Sequence, residues 1–432
     1  MKLNLKKYRL DNDYYNSKIT LFFFFSTILF SLTIYRFIWS IENYSRLVNV
    51  FLLTFGVLYF TIDLFKNKYP IKVMVYIILP SILIFIGMCL NIIMSAFSDA
   101  TVLSNFGEVL PWVVLLMIPA LYRKKKIDYI KLWKYSYYFM LVSVILGLFD
   151  YVIIYFFGGS ATILETSYGT FLSGNFSVLH MLKDGTPHLR FYSCFAEPGS
   201  LAMLLLPFIA YAIYKKRYIG LIILLIGFVL TNSLGGYISA LMMLFIMTYF
   251  SVKKNKFILI SFLILCPIFI YNTTNDFFTK SYEIRNQGFT SSENSSVNTR
   301  VLNFTNGILN VPSLIFSNPF GIKLASTTSQ NIKNEYYIGS NFLPIYYLQS
   351  GGLLAFIGYL MILYISIKTS VKILRSYNQI NVEYKVVAIS LIIFAPFLVQ
   401  RTTIWETAWF GFLYAPIIIN SLKKSSKKLK NS

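Results

Sequence analysis

Residues 198–256 read PGSLAMLLLPFIAYAIYKKRYIGLIILLIGFVLTNSLGGYISALMMLFIMTYFSVKKNK, and this stretch decides the fold class. Three apolar runs alternate in it with a basic connection, Lys215–Arg217, a short polar one, Thr231–Ser233, and a basic end, Lys253–Lys256. The same alternation continues in both directions along a chain of 432 residues that is 56% hydrophobic and 13% charged. Soluble chains carry about 25% charged residues. The sequence therefore predicts an all-α polytopic integral membrane protein.

The apolar runs predict about twelve transmembrane helices, because each is close to the length that crosses about 30 Å of hydrocarbon. Lysine and arginine gather on alternate connections, and this pattern places both the N and the C terminus in the cytoplasm. Topology and attraction to anionic lipids explain the net charge of +22, which argues against a nucleic-acid partner. In a single membrane domain over residues 1–432, the predicted spans are 19–39, 47–65, 73–95, 102–121, 136–157, 198–214, 218–232, 235–251, 257–272, 341–367, 386–400 and 405–421.

Two of the predicted extracytoplasmic loops are long, residues 158–197 and residues 273–340. Loops of that length are uncommon unless they carry function. Within the second loop, the spacing of apolar residues over Thr299–Val311 predicts an amphipathic helix near the membrane surface, which Pro312 would end. We therefore expect the functional residues in these two loops and at the helix ends beneath them.

Several kinds of chemistry have no signal in the chain. No glycine-rich phosphate loop ending in Gly-Lys-Ser/Thr is present, which argues against ATP-driven transport. His180 and His188 lack a third clustered ligand, so we predict no metal site and no cofactor. A solvated loop histidine is the default interpretation of each, and a catalytic or ligand role is the alternative. Glu108 lies inside the fourth predicted span, where a charge costs about 2.5–3.5 kcal/mol, and a structural ion pair with Arg36 is expected.

The most informative segment runs from the first long outer loop into the sixth predicted span. It reads Arg190-Phe-Tyr-Ser-Cys-Phe-Ala-Glu197-Pro198-Gly-Ser-Leu-Ala202. Pro198 suits the first turn of a helix, where its missing N–H has no partner to lose. Glu197 would then lie at a helix N-terminus, which favours negative charge. Glu197 is thus either a cap of this helix or a functional carboxylate beside arginines that hold an anionic substrate.

This segment resembles the O-antigen polymerase (Wzy) and O-antigen ligase superfamily of bacterial membrane glycosyltransferases. Members commonly carry an arginine, a phenylalanine and a Glu-Pro pair leading into a span that continues Leu-Ala. The resemblance covers about residues 185–360. It includes further short stretches in the family's order and loop placement: Thr231-Asn-Ser233-Leu-Gly-Gly236, Asn298-Thr-Arg300, Asn318-Pro319-Phe-Gly321, Ser340-Asn341 and Gly351-Gly352-Leu.

The resemblance implies polymerisation of oligosaccharide repeat units carried on undecaprenyl diphosphate, with one lipid-linked unit as donor and another as acceptor. It implies a reaction on the outer face of the bacterial inner membrane, with an O-antigen or a capsule as the product. The implied partners are membrane lipids, a chain-length regulator and a flippase. Arginine suits the diphosphate because it makes permanently charged, bidentate contacts. The implied catalytic residues are Glu197, Arg190 and Arg300, and the implied substrate-binding residues are Arg285, Ser233, Asn341 and Tyr192.

Two alternatives remain beside the polymerase. Ligases of the superfamily carry a histidine late in the large outer loop, and residues 273–340 contain none, which counts against a ligase-type transferase. A lipid-linked oligosaccharide flippase would be expected to have short outer loops and basic residues midway across several spans. This chain has neither feature, because its outer charges lie in long loops, and this counts against a flippase. The chain also lacks the glycine that some polymerases have eleven positions after an arginine, since Leu201 and Val311 stand there after Arg190 and Arg300.

Overall fold

The structure is a computed structural model. It describes residues 58, 61–62, 65–66, 74–96, 129–157, 162–166, 169–173, 178–180, 191–193, 198–231, 233–251, 308–309, 311–321, 343–375 and 382–400. Most of these residues are helical, and within the described part three short strands are the exception.

The described helices are numbered here in chain order. They are α1 (Leu79–Ala96), which a π-helical turn (Met74–Ile78) directly precedes, α2 (Tyr129–Phe157), α3 (Pro198–Tyr214), α4 (Tyr218–Leu230), α5 (Leu234–Ser251), α6 (Val311–Ser317), α7 (Leu343–Arg375) and α8 (Val382–Gln400).

Two of these helices are long and apolar enough to cross a membrane, over Ile130–Ile154 of α2 and Pro344–Arg375 of α7. Parts of α1, α3, α4 and α5 are apolar but shorter. Large apolar side chains along α2, among them Val142 and Phe149, are exposed. An apolar helix with an apolar outer face suits a lipid environment, so these helices support association with a membrane.

Seven predicted spans coincide with described helices. The agreement is closest for the three spans that open the sequence analysis: 198–214, 218–232 and 235–251 were expected, and α3, α4 and α5 lie there. The predicted spans 73–95, 136–157, 341–367 and 386–400 correspond to the π-turn with α1, to α2, to α7 and to α8. In the span 47–65 only scattered helical residues are described. The spans 19–39, 102–121, 257–272 and 405–421 lie outside the described residues.

The segment predicted as the first long outer loop contains a small β-sheet, which the all-α prediction did not include. Strands β1 (Thr162–Thr166), β2 (Gly169–Ser173) and β3 (Val178–His180) are antiparallel and hydrogen-bonded in that order. Thr162 is opposite Ser173, and Phe171 is opposite His180. His180, a candidate ligand in the sequence, is therefore a strand residue.

The chain divides into two compact units. The first contains Met1–Met140, Asn306–Ile373 and Phe394–Ser432, and the second contains Leu141–Thr305 and Leu374–Ile393.

In the first unit, α1 packs closely against α7. A β-carbon at Gly87 would collide with the carbonyl oxygen of Gly351, and one at Gly358 would lie 2.6 Å from the carbonyl oxygen of Pro80. Gly87 follows Pro80 in α1, but its partner Gly351 precedes Gly358, the partner of Pro80, in α7. The two helices are therefore antiparallel. Small residues allow such close backbone approach, which is the usual way that helices associate where no water drives them together.

In the second unit, α3 packs against α4 and α5. Buried residues occur along most of α3, from Leu201 to Ala212. The tightest contact is at Gly236 of α5, where a β-carbon would lie 2.7 Å from the β-carbon of Ala202. The α3 and α4 helices are joined by Lys215–Arg217, and the opposite ends of both helices carry the segments that resemble the polymerase family.

The predicted role of Pro312 is wrong. We expected it to end an amphipathic helix over Thr299–Val311, but Pro312 is the second residue of α6, which continues to Ser317. Proline is tolerated there because the first-turn N–H groups of a helix have no intrahelical partner. Of the predicted amphipathic stretch, only residues 308–309 and 311 are described, and all three are helical.

Candidate functional site

The outer-loop segment before α3 and the end of α4 meet in the second unit. The backbone N–H of Phe191 donates to the carbonyl oxygen of Leu230, with an N–O distance of 2.9 Å. Phe191 is fully buried, and its ring lies edge-on to Tyr151 with centroids 5.9 Å apart. A helix begins at Pro198, as predicted. Two segments on which the predicted function rests are thereby joined, although α3 and most of α4 separate them in the sequence.

Ser193 fixes the same segment to α2. Its hydroxyl donates to the carbonyl oxygen of Ser143 at 2.7 Å, and its side chain lies directly against Gly147. The backbone of Ser193 has a positive φ of 50°, which is uncommon for a residue other than glycine. Residues held in this way need strong surrounding contacts. The segment Phe191–Ser193 is therefore packed into the helix group rather than lying free on its surface.

Tyr192 was predicted to bind a sugar ring, and the structure buries it to 6% exposure. Stacking on a sugar needs an open ring face, and this environment offers little of one. Packing accounts for Tyr192 in the structure, and its sugar-binding role stays a prediction.

Ser233 was predicted to bind substrate, and it is 5% exposed at the start of α5. Its hydroxyl oxygen accepts a hydrogen bond from the backbone N–H of Gly236 at 3.3 Å. A serine oxygen in this position satisfies one of the free N–H groups at a helix start. Ser233 thus has a capping role in the structure, and any contact with substrate stays a prediction.

Thr231 and Ser233 flank the short connection between α4 and α5, which we call the capped turn. The hydroxyl of Thr231 donates a hydrogen bond to the carbonyl oxygen of Phe228, in α4, at 2.7 Å. Tyr237 donates from its phenol to the carbonyl oxygen of Val229 at 2.7 Å. All of these contacts join residues close in sequence. Because Phe191 is bonded to Leu230, Tyr192 and Ser233 lie at the same end of α4.

A second meeting of motifs occurs in the first unit. Asn318-Pro319-Phe320-Gly321 is a β-turn, closed by a 2.9 Å bond from the N–H of Gly321 to the carbonyl oxygen of Asn318. Proline in the second position and glycine in the fourth are the residues such a turn favours. The carbonyl oxygen of Pro319 accepts a hydrogen bond from the N–H of Leu353 at 2.9 Å. We call Asn318–Gly321 the seated turn.

The seated turn occupies a break in α7. Gly352 has a φ of 65° and a ψ of −162°, which interrupts the helix. A β-carbon there would collide with Pro319 and Phe320. In an unbroken helix the N–H of Leu353 would donate to Gln349, but it donates to the loop instead. The turn therefore replaces a helical hydrogen bond with one from the segment that follows α6, and it joins two further stretches on which the predicted function rests.

Sequence reasoning missed the polar residues around this break. The side-chain amide of Asn91, in α1, donates to the carbonyl oxygen of Phe320 at 3.1 Å. Gln349 and Ser350 are also buried, and the hydroxyl of Ser350 has no hydrogen-bond partner in the described part of the chain. A signal was available, because each of these residues interrupts an apolar run. A polar side chain inside a membrane span is costly, so its presence there indicates a specific role.

An ion pair lies at the other end of α3. Lys215 and Glu383, the second residue of α8, are 2.8 Å apart between Nζ and Oε1, and the Glu383 side chain is only 4% exposed. Lys215 and Arg217 also both lie over the ring of Tyr211, with their charged groups 5.7 Å from its centroid. The sequence predicted these basic residues as a cytoplasmic cluster but gave no partner for them.

The remaining predicted site residues lie outside the described residues. They are Arg190, Glu197, Arg285, Arg300 and Asn341, together with the expected ion-pair partners Arg36 and Glu108, and His188.

The chain matches no protein-family model and no curated protein sequence.

Proposed function

We propose that this chain is a membrane glycosyltransferase that polymerises polyprenyl-diphosphate-linked oligosaccharide units into a surface polysaccharide on the outer face of the bacterial inner membrane. The observation that carries the proposal is the Phe191–Leu230 hydrogen bond of 2.9 Å. It joins the segment that begins at Arg190 to the turn that ends at Ser233. Both segments resemble the polymerase family, and a shared site requires that they meet.

The proposal includes a topology of twelve membrane spans with both termini in the cytoplasm. The Lys215–Glu383 ion pair supports it, because the distribution of basic residues assigns both residues to the inner side. The seated turn supports it from the outer side, because Asn91 near the end of α1 and Gly352 near the start of α7 are both assigned there. Alkaline phosphatase fused within residues 174–177 should be active, whereas a fusion after Lys254 should be inactive.

The proposed reaction transfers the growing chain to a new repeat unit. A hydroxyl oxygen at the non-reducing end of the acceptor attacks the anomeric carbon of the donor sugar. The bond from that carbon to the diphosphate breaks, and polyprenyl diphosphate leaves with the electron pair. This leaving group already carries the activation, so no nucleotide is needed in the step.

Arg190 and Arg300 are proposed to stabilise the negative charge that develops on the diphosphate, with Arg285 as a further contact. Guanidinium groups suit this task because they stay charged and bind phosphate oxygens in pairs. Arg190 directly precedes Phe191, which is anchored to Leu230. A fixed neighbour limits where the arginine backbone can go, and positioning of this kind contributes to catalysis.

Glu197 is proposed to take the proton from the acceptor hydroxyl. It directly precedes Pro198, the first residue of α3. The same location suits a helix cap, because a helix N-terminus attracts negative charge. The two roles separate experimentally: losing a cap costs about 0.5–2 kcal/mol of stability, whereas losing a general base lowers the rate about 10²–10⁴-fold.

The test uses cells that lack this protein, complemented with the wild type, Arg190→Ala, Arg300→Ala or Glu197→Gln. Surface polysaccharide is resolved by gel, and the protein level is measured in the same cells. We expect deletion to leave single repeat units on the normal acceptor, and each variant to reproduce that pattern at a normal protein level. Arg375→Ala is the matched control, because this arginine is exposed at the far end of α7 and should leave the ladder intact.

Other results would replace the proposal. Full-length chains that accumulate on the polyprenyl lipid would identify a ligase. Unpolymerised lipid-linked units confined to the inner face would identify a flippase, and the assigned site would then be wrong. Arg190→Lys refines the result, because lysine keeps the charge but loses the paired contacts, and partial activity is expected from it.

A further inference from the structure

The segment Val311–Gly321 contacts α7 well inside the part of α7 that is apolar enough to cross a membrane. Leu314 is buried against Ile345 and Leu348, which lie in the first two turns of that helix. The turn that follows reaches further along α7, to Gly352 and Leu353. The segment therefore does not end at the tip of the helix but runs alongside it.

The basic residues of α7 indicate how deep that is. Its inner end carries Lys368, Lys372 and Arg375, and a span of about 20 residues counted back from Lys368 begins near Leu348. Leu353 lies five residues further in. At 1.5 Å per residue, the Pro319–Leu353 hydrogen bond is about 7 Å inside the hydrocarbon boundary.

Helix α1 gives a second measure of the same depth. The seated turn accepts a hydrogen bond from Asn91, and the span predicted for this helix, residues 73–95, ends four residues later. Four residues of helix correspond to about 6 Å. Two antiparallel helices thus agree on the depth of the turn.

The outer surface of the segment is apolar. Phe316 is 85% exposed, Leu309 is 73% exposed and Phe320 is half exposed. On the membrane-crossing part of α7, Ile357 and Leu360 are exposed in the same way. The polar backbone of the seated turn, by contrast, is directed to partners on α7 and α1. Irregular backbone is tolerated within a membrane when the protein satisfies its hydrogen bonds, and this segment meets that requirement.

We infer that Val311–Gly321 is a re-entrant element of the large outer loop, which dips into the outer leaflet and contacts lipid acyl chains through Phe316 and Phe320, next to the exposed Leu309 that precedes it. The inference goes beyond polysaccharide synthesis, and it rests on α7 crossing the bilayer with its basic end on the inner side. It replaces the expected picture of a helix on the membrane surface with an inserted loop that carries its own lipid contact.

The test is spin-label accessibility in full-length protein reconstituted into phosphatidylethanolamine and phosphatidylglycerol vesicles. Cys89, Cys194 and Cys266 are replaced by serine, and a single cysteine is placed in turn at Phe316, Phe320, Leu360 or Ser317. Oxygen partitions into lipid and a nickel chelate stays in water, so the ratio of their effects reports depth. We expect the ratio to rise from Phe316 to Phe320 to Leu360, with Ser317 as the interfacial reference on the same helix.

Each outcome decides the matter. A label at Phe316 or Phe320 that meets the nickel chelate as freely as a label in the cytoplasmic tail, while Leu360 is in lipid, would overturn the inference. A label that neither reagent reaches would overturn it in favour of contact with a second protein copy. A Leu360 label in water would instead refute the span assignment of α7.

A second measurement covers failure of the cysteine-free protein to fold. Benzoyl-phenylalanine at Phe316 keeps an aromatic side chain and all native cysteines. After irradiation, we expect a mass increase equal to one phospholipid. Irradiation that adds no lipid there but adds lipid to the same probe at Leu360 would contradict the inference.

Discussion

The seated turn and the capped turn both join apolar helices, but different contacts hold them. The capped turn, Thr231–Ser233, is stabilised by side-chain and backbone bonds between residues no more than eight positions apart. The seated turn, Asn318–Gly321, is stabilised by backbone carbonyls that meet Leu353 and Asn91, more than thirty and more than two hundred positions away. One turn is specified locally and the other by tertiary structure.

This difference predicts how each region responds to substitution. Removing one side chain from a locally stabilised turn lowers the free energy of unfolding only slightly, because the helices on either side remain packed. A turn that fills a break in another helix has no alternative position, so an added methyl group disturbs both elements. We therefore expect large effects at the seated turn and small ones at the capped turn.

Gly352→Ala should have the largest effect. The change forces a side chain into a positive-φ conformation, which costs about 1–3 kcal/mol, and drives it into Pro319 and Phe320, which costs about 1–3 kcal/mol more. The apparent unfolding midpoint of the purified protein in detergent should fall clearly. Gly235→Ala, at an exposed helical position of α5, is the control and should leave the midpoint unchanged or slightly raised. Equal midpoints for the two variants would show that the seated turn is not fixed as described.

Lys215→Met should have the next largest effect. It tests whether the stability of the second unit also depends on a contact between residues far apart in the sequence, here Lys215 and Glu383. It leaves the buried Glu383 carboxylate without its partner, which we expect to cost about 2–4 kcal/mol, because Lys215 is partly exposed. Combining it with Glu383→Gln should recover part of that loss. Lys216→Met, at the exposed neighbouring position, is the control. A double variant less stable than both single variants would refute the pairing.

Asn91→Leu should cost about 1–3 kcal/mol, because the carbonyl oxygen of Phe320 is left without its donor. Leucine has the same branched shape as asparagine and favours a helix, so α1 itself should remain. Met94→Leu on the exposed side of α1 is the control. The unfolding midpoint is the measurement, and a midpoint for Asn91→Leu that matches the control would mean that this contact contributes nothing.

Ser233→Ala should have the smallest effect, about 0.5–2 kcal/mol, because it removes one cap. Ser233→Asp keeps a capping oxygen and should be close to the wild type in stability. The polysaccharide ladder separates capping from substrate binding. Loss of the ladder in Ser233→Ala, at a normal protein level and with Ser233→Asp active, would establish a functional contact that the capping role alone does not explain.

The same contrast explains how much could be predicted from the sequence. The start of α3 at Pro198 and the turn between α4 and α5 were predicted closely, because proline and serine act on adjacent backbone groups. The break at Gly352 was not predicted. A pair of glycines was visible there, but the loop that fills the break lies about thirty residues earlier.

The β-sheet over Thr162–His180 was missed for a related reason. Short strands gain their stability from pairing with each other, and the residues of a single strand carry a weak signal. Pro312 was expected to end a helix, but it lies in the first turn of one, because proline can begin a helix as well as end one. Of the candidate site, the motifs were selected through a resemblance to one family, and their contacts in the structure were not predicted. The buried Asn91, Gln349 and Ser350 were not recognised.

Helix α4 has a further consequence. Its 13 residues extend about 20 Å, roughly 10 Å less than the hydrocarbon of an ordinary bilayer. Its exposed residues Ile219, Ile222 and Val229 form an apolar face no longer than the helix itself. If α4 is a span, neighbouring lipids must shorten to match it. The protein would then lie in a thinned patch of membrane, and a bulky polar headgroup bound at the capped turn would have less hydrocarbon beneath it than in the undisturbed bilayer.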